Sequence, residues 1–176
     1  MKRLLKANEI EVKVKTVTEK GVLLLLYKTA RTDMDILDEL YGADGWTNDY
    51  KEIKGVLYAG IGIKQSDGSF LWKWDCGIES REDGGNEKKG ESSDAFKRAG
   101  FRVGIGRELY TAPLIWVSAE KTKIEKDRNG KPVCRDSFAV EAIAYDESND
   151  IAGLSIINGA GKRTFVWKAA KKNDEA

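Results

Sequence analysis

One hairpin constrains the fold of this chain more than any other feature. Residues 55–76 read GVLYAGIGIKQSDGSFLWKWDC, in which two alternating segments flank the pair Asp67-Gly68. An Asp-Gly pair tolerates the positive φ angles of a tight turn, so the two segments are predicted to pair as antiparallel strands. Gly60 and Gly62 weaken a strand interior, which indicates close packing or curvature at that point.

The remaining patterns predict further short strands and two helices. Residues 9–16 alternate as a strand, and the apolar run at 22–27 forms a second hairpin with it. Residues 32–42 read as a short helix, with Thr32 and Asp35 in the spacing of a capping box. Further strands are predicted over 137–147, 151–157 and 163–168. Because strands and helices do not alternate regularly, the pattern favours an α+β fold with an antiparallel sheet.

Length and charge limit the organisation of the chain and its partners. A chain of 176 residues fits one domain. We predict a single domain over residues 1–168 and a polar tail over 169–176. Thirty basic residues nearly balance 29 acidic ones, so any attraction to nucleic acid must come from a local patch of charge.

Missing residue types exclude several kinds of site. The sequence contains no histidine, which rules out Ser-His-Asp catalysis and His-ligated zinc. Cys76 and Cys134 lie far apart without CxxC spacing and are read as reduced thiols, with a single disulfide as the alternative. Residues 158–164, NGAGKRT, lack the first glycine and the hydroxyl residue of a phosphate-binding loop. We therefore expect no metal and no cofactor.

The sequence also predicts a cytoplasmic protein. Its longest strongly apolar run, VLLLLY, is far shorter than the ~20 residues that a membrane helix needs. No apolar signal-peptide segment follows the basic start of the chain.

A helix predicted over residues 91–103 carries the most suggestive surface. Lys97, Arg98 and Arg102 share one arc with Phe101, while small and apolar residues cover the other arc. Long cations neutralise phosphates, and an aromatic ring can stack on an unpaired base. The same residues also suit an ordinary solvated surface, because basic groups near a helix end complement its dipole.

A second cluster is acidic. Asp33, Asp35, Asp38 and Glu39 lie along one edge of the predicted helix 32–42 and could in principle hold a metal ion. A solvated helix surface is the favoured interpretation. A metal-dependent enzyme that uses these carboxylates remains a rival hypothesis.

Three segments in order along residues 20–118 resemble a known family. They are LLLYKTARTDMDILDELYGADGW, a hairpin that ends near WDCGIES, and KGESSDAFKRAGFRVGIGRELY running into TAPLIWV. The ordered set resembles the Rad-fifty-two family of single-strand annealing proteins, most closely its short bacteriophage-type branch. The pattern KG-x-x-SDAFKRA-x-x-x-x-GIGR-LY is its most specific element.

The resemblance implies both a fold and a binding site. The implied fold is α+β, with a strongly bent antiparallel sheet packed on a helix (a β-β-β-α core) and subunits assembled into a ring. The implied ligand is single-stranded DNA, which lies in a cationic groove with its bases outward. Lys97, Arg98 and Arg102 match the basic residues that hold the DNA backbone in that family. Arg31 is the nearest match to a further basic residue near the start of the earlier helix.

Three hairpin lysines are weaker candidates for the opposite groove wall: Lys54, Lys64 and Lys73. Lysines at strand edges also discourage aggregation, so both interpretations stay open. Whether Phe101 meets a base or a neighbouring subunit is open as well.

The expected function is ATP-independent, non-enzymatic binding and annealing of single-stranded DNA. It would serve phage-encoded homologous recombination or DNA repair. The expected partners are single-stranded DNA, further copies of the chain, and a phage exonuclease or single-strand-binding protein. A binder that protects single strands without annealing them is the alternative.

Overall fold

The computed structural model describes residues 3–77 and 87–170, with the side chains of α2 described from residue 90 onward. The described part contains two α-helices and eleven strands. The helices are α1 (Ala30–Tyr41) and α2 (Glu87–Val103). The strands are β1 (Glu11–Thr18), β2 (Gly21–Tyr27), β3 (Trp46–Ile53), β4 (Val56–Lys64), β5 (Phe70–Cys76), β6 (Ile115–Ser118), β7 (Ile124–Lys126), β8 (Pro132–Cys134), β9 (Phe138–Tyr145), β10 (Ile151–Asn158) and β11 (Arg163–Lys168).

The chain divides into two compact units. The first comprises Lys28–Arg107 together with Arg3, and the second comprises residues 4–27 and 108–170 within the described part. The predicted single domain over residues 1–168 stays a prediction. The sequence REDGG at residues 81–85 predicts a charged break between elements. This segment and the end of the predicted tail, residues 171–176, lie outside the described residues.

The first unit is built on a three-stranded antiparallel sheet in the order β3-β4-β5. The predicted hairpin forms, since β4 pairs with β5 and Gly68 has φ +83° in the turn. Helix α2 packs on β4 and β5. Ala59 and Ile61 of β4 and Phe96 of α2 are fully buried in this layer. After α1, this unit thus has the order β3-β4-β5-α2, which is the β-β-β-α order that the resemblance implies.

Gly60 and Gly62 have the close packing that the sequence indicated. A Cβ atom at Gly60 would lie 2.6 Å from the ring of Trp74, and one at Gly62 would lie 3.0 Å from the ring of Trp72. The two indoles lie on the sheet face opposite α2, because Asp75, the neighbour of Trp74, faces the helix. Bare backbone at the two glycines makes room for the rings.

Helix α1 differs from its prediction in two respects. Its N-cap is Thr29, whose hydroxyl accepts a hydrogen bond from the Thr32 backbone N–H, so the capping box at Thr32 was wrong. The helical period predicts that this helix packs by Met34, Leu37, Leu40 and Tyr41. Of these only Leu37 is buried, together with Asp33 and Ile36, and the other three are exposed. The predicted end of the helix at residue 42 is confirmed by a glycine with φ +75°.

The second unit is a six-stranded antiparallel sheet in the order β11-β10-β9-β1-β2-β6. The hairpin predicted over residues 9–27 and the three strands predicted after residue 137 are confirmed. Val22 and Leu24 of β2 and Val117 of β6 are buried on its inner face. Register shifts interrupt three of its strand pairs, and β6 and β11, its outer strands, touch each other. This sheet is therefore strongly curled, because bulges bend and twist strands.

Within the described residues, no helix has the length and apolar character needed to cross a membrane.

Candidate nucleic-acid interface

The three basic residues singled out on α2 present their side chains to solvent to different degrees. The side chain of Lys97 is 29% exposed, that of Arg98 is 40% exposed and that of Arg102 is 62% exposed. The helix brings Arg98 and Arg102 onto one side because they lie four positions apart. Two arginine side chains at this spacing, one partly exposed and one exposed, can reach one extended anion.

Asp75 of β5 joins the two arginines. The Nε–H of Arg102 donates to Oδ2 of Asp75 at 3.0 Å, and an Nη of Arg98 donates to Oδ1 at 3.4 Å. Burial by itself raises the pKa of Asp75. The hydrogen bond from Arg102, the hydrogen bond from the Cys76 backbone and the charges of both arginines outweigh burial and lower that pKa. The carboxylate therefore stays ionised and holds the two guanidinium groups side by side.

Donors remain for a ligand after this pairing. A guanidinium carries five N–H donors, and each arginine donates one of them to Asp75. The Nε of Arg98 lacks a hydrogen-bond partner among the described residues but is itself buried, so it is not one of the donors open to a ligand. Two guanidinium charges against one carboxylate leave the cluster with a net positive charge.

Lys97 is anchored differently. Its ammonium lies 3.8 Å from the carboxylate of Asp94, one turn earlier on the helix. Its backbone carbonyl accepts a hydrogen bond from Nζ of Lys28 at 3.1 Å. Lys97 is thus next to the arginine pair in sequence without sharing the Asp75 carboxylate.

A buried ion pair lies beneath this stretch of α2. Nζ of Lys28 is 2.5 Å from Oδ2 of Asp33, and both side chains are almost completely buried. Burial raises the pKa of Asp33 to about 6, against the opposing effects of Lys28 and Lys97. Gly100 gives the pair room, since a Cβ atom there would lie 2.7 Å from Oδ2 of Asp33.

Phe101 covers this pair. Its ring centroid lies 4.8 Å from Nζ of Lys28, which is a cation–π distance. The sequence left open whether Phe101 meets a base or a neighbouring subunit, and the structure adds a contact within its own chain. Lys28 follows directly after an apolar strand, and no local sequence pattern predicts that its ammonium is buried against Asp33 and Phe101.

Arg107 is a further basic residue that the sequence analysis did not select. It donates to the backbone carbonyl of Phe101 at 2.6 Å and to that of Arg102 at 2.9 Å. Both carbonyls belong to the last turn of α2, where basic side chains satisfy free acceptors. The signal was present, because Arg107 is the arginine of the GIGR motif just after the helix.

The four remaining candidates all lie in the first unit but at separate places. Lys73 is on β5, two residues before Asp75 and on the same sheet face, which brings it toward the arginine pair. Arg31 is exposed in the first turn of α1, and Lys54 is in the turn between β3 and β4 with φ +54°. Lys64 ends β4 on the opposite sheet face, directly across from Phe70. The structure thus groups only Lys73 with the α2 cluster.

The acidic edge of α1 has partners inside the fold. Asp33 pairs with Lys28, Asp38 accepts a hydrogen bond from the indole of Trp46 at 2.7 Å, and Glu39 lies 2.9 Å from a guanidinium nitrogen of Arg3. No group of three or more potential metal ligands occurs within residues 3–77 and 87–170. Three of the four carboxylates in the rival metal-site hypothesis thus bind groups of the chain itself.

Comparison with known proteins adds no assignment. No family model matches the chain, and no curated protein shows a significant match to it. The interpretation of the α2 cluster therefore depends on its geometry and on the ordered motifs of the sequence.

Proposed function

We propose that this chain binds single-stranded DNA and anneals complementary strands without ATP, in phage-encoded homologous recombination or DNA repair. The observation that carries the binding part of the proposal is a pair of arginine side chains, Arg98 partly exposed and Arg102 exposed, held side by side by Asp75. Guanidinium groups match the geometry of phosphate oxygens and pair with them by two hydrogen bonds. The flanking residues Lys97 and Lys73 add positive charge to the same region.

Annealing follows from charge neutralisation. Cations along a bound strand reduce the repulsion between its phosphates and those of a second strand. Once two complementary strands pair, stacking stabilises the duplex by about 1.4 kcal/mol per step. The reaction is therefore downhill and requires no nucleotide hydrolysis.

Assembly is part of the proposal. With 30 basic and 29 acidic residues, one chain has too little net charge to attract a polyanion from a distance. A ring of identical subunits would repeat the local α2 cluster as a continuous cationic track. The ring and the annealing activity are both carried by the motif resemblance, and the cluster supplies the chemistry.

The proposal is tested with the wild-type protein and two labelled complementary oligonucleotides, in the presence of a metal chelator and without ATP. We expect the protein to accelerate pairing, followed as energy transfer between the two labels. Tight binding with slower pairing would instead favour a strand-protecting protein. The absence of binding at low salt would exclude both functions.

A further inference from the structure

Three aromatic side chains form a row on the sheet face that points away from α2. They are Phe70, Trp72 and Trp74, at alternate positions of β5, and we call them the aromatic face. The centroids of Trp72 and Trp74 are 5.3 Å apart with their planes inclined by 25°, and those of Phe70 and Trp72 are 6.3 Å apart. The two indoles are half-buried, and Phe70 is 37% exposed.

The two indole rings pack with their faces against two glycines of the neighbouring strand β4. Three ring atoms of Trp74 lie 2.6–2.7 Å from the place that a Cβ atom of Gly60 would take, and ring atoms of Trp72 lie 3.0–3.1 Å from that of Gly62. Nearly equal distances from several ring atoms mean that each ring meets its glycine face-on. The opposite faces of the rings therefore point away from the sheet.

Lysines accompany these rings. Nζ of Lys51, on β3, lies 4.3 Å from the ring centroid of Trp74, and Lys64 is directly across from Phe70 in the strand register. The side chain of Lys51 is 57% exposed, with the carboxylate of Asp49 at 4.0 Å. With two lysines, Lys51 and Lys64, and one aspartate, Asp49, this group of residues has a net positive charge.

This combination suits nucleic acid better than protein. The centre of a protein–protein interface is depleted in lysine, whereas Lys51 lies directly over the aromatic row. An unpaired base presents a flat π surface with a phosphate close by, which matches an indole beside an ammonium. A sheet with a helix behind it and aromatic residues on its open face is a known arrangement for stacking bases.

We propose that the aromatic face stacks unpaired bases of a single strand, with Trp72 as the principal platform and Lys51 as the phosphate contact. The inference rests on the proposed function and adds to it a contact to bases, whereas the α2 cluster contacts only the backbone. Both surfaces share β5, the outer strand of its sheet, with Asp75 on one face and the indoles on the other. One strand of DNA that crosses this edge can reach both.

The test compares two oligonucleotides of equal length, one of thymidines and one of abasic sites, on the full-length protein. Binding is measured by fluorescence anisotropy, and the readout is the ratio of the two dissociation constants. Wild type should bind the base-bearing strand at least about fivefold more tightly, since each stacked base adds ~1–3 kcal/mol. Trp72→Leu should bring the ratio close to one.

The matched control is Trp116→Leu in the second unit, where the indole of Trp116 also lies over a glycine, Gly21. It should leave the ratio at the wild-type value. Partial unfolding lowers binding of both strands equally, so the ratio reports stacking even if a variant is less stable.

A ratio of one for the wild-type protein would overturn the inference while leaving the proposed function intact. A Trp72→Leu protein that keeps the wild-type ratio would also overturn the inference. If that protein has a smaller molecular mass as well, the face is a contact between copies of the chain. No binding of either strand would overturn the proposed function and this inference together.

Discussion

At the residue scale, one carboxylate organises the candidate site. Asp75 brings Arg98 and Arg102 together, and its lowered pKa keeps it charged at neutral pH. The carboxylate removes part of the positive charge but fixes the direction of two long side chains. A preorganised site loses less side-chain entropy when a phosphate binds than a site whose arginines move freely.

Replacing Arg102 by alanine should reduce the salt dependence of binding to single-stranded DNA. Each phosphate neutralised on a single strand contributes about −0.7 to the slope of log K against log salt concentration. Loss of one contact should therefore make the slope shallower by about 0.7, as measured by anisotropy titrations at several salt concentrations.

Arg163→Ala provides the control for this measurement. Arg163 is an exposed arginine of the second unit, bound to Glu141 at 2.6 Å. Its replacement should leave the slope at the wild-type value. A wild-type slope in Arg102→Ala would remove Arg102 from the site.

The buried ion pair of Lys28 and Asp33 predicts a pH dependence of stability. Burial raises the pKa of Asp33 to about 6, so the folded state binds this proton more tightly than the unfolded state does. The contribution of Asp33 to stability should therefore fall as pH rises from about 4 to about 7. Asp33→Asn lacks this titration, so wild type should lose roughly 1–3 kcal/mol relative to the variant over that range. Urea unfolding of both proteins at each pH measures the difference, and a pH-independent difference would contradict this account.

The sequence predicts the residues of this site better than it predicts their partners. Lys97, Arg98 and Arg102 are visible because helical periodicity and the motif place them on one face. Asp75 lies 23 positions before Arg98, and Lys28 lies 69 positions before the carbonyl of Lys97. Such contacts depend on how β5 and α1 pack against α2, which no local pattern encodes.

At the element scale, hydrophobic period and turn chemistry predicted most strands. The two hairpins and the last three strands have strong alternation or Asp-Gly and Asn-Gly turns, so their prediction succeeded. Strand β3 was missed because WTNDYKEI is mostly polar and its residues are mostly exposed, as befits an outer strand. In α1 the buried positions include Asp33, which a search for apolar stripes cannot find.

The cap of α1 offers a prediction at this scale. Thr29→Ala should destabilise the protein by about 1 kcal/mol, because it removes the hydroxyl that accepts from the Thr32 backbone N–H. Thr32→Ala keeps that N–H and should cost clearly less. Thermal unfolding of both variants measures the two effects, and the reverse order would support the capping box at Thr32 instead of the observed cap.

At the scale of the whole molecule, the two units differ in how they relate to the proposed function. All seven candidate basic residues and the aromatic face lie in the first unit, in which α1 is followed by β3, β4, β5 and α2. The second unit contributes the six-stranded curled sheet, which the sequence did not predict as a separate body. Strand patterns predict which segments pair locally, but the assignment of distant segments to the same sheet requires the tertiary fold.

The assembly proposal has a direct check. The chain has a mass of 19.6 kDa, and native mass spectrometry at micromolar concentration should detect a closed oligomer of several copies. The physical reason is that only repetition of the α2 cluster produces a continuous cationic track from a nearly neutral chain. A monomer both with and without single-stranded DNA would contradict the ring.

The central claim is that the cationic face of α2 anneals DNA, and the decisive measurement is the rate of pairing of complementary oligonucleotides with matched variants. The test variant replaces Lys97, Arg98 and Arg102 by alanine. The control variant replaces the same number of exposed basic residues in the second unit, Lys162, Arg163 and Lys168. We expect wild type and the control to accelerate pairing equally, and the α2 variant to lose the acceleration while remaining folded. Equal acceleration by all three proteins would contradict the account.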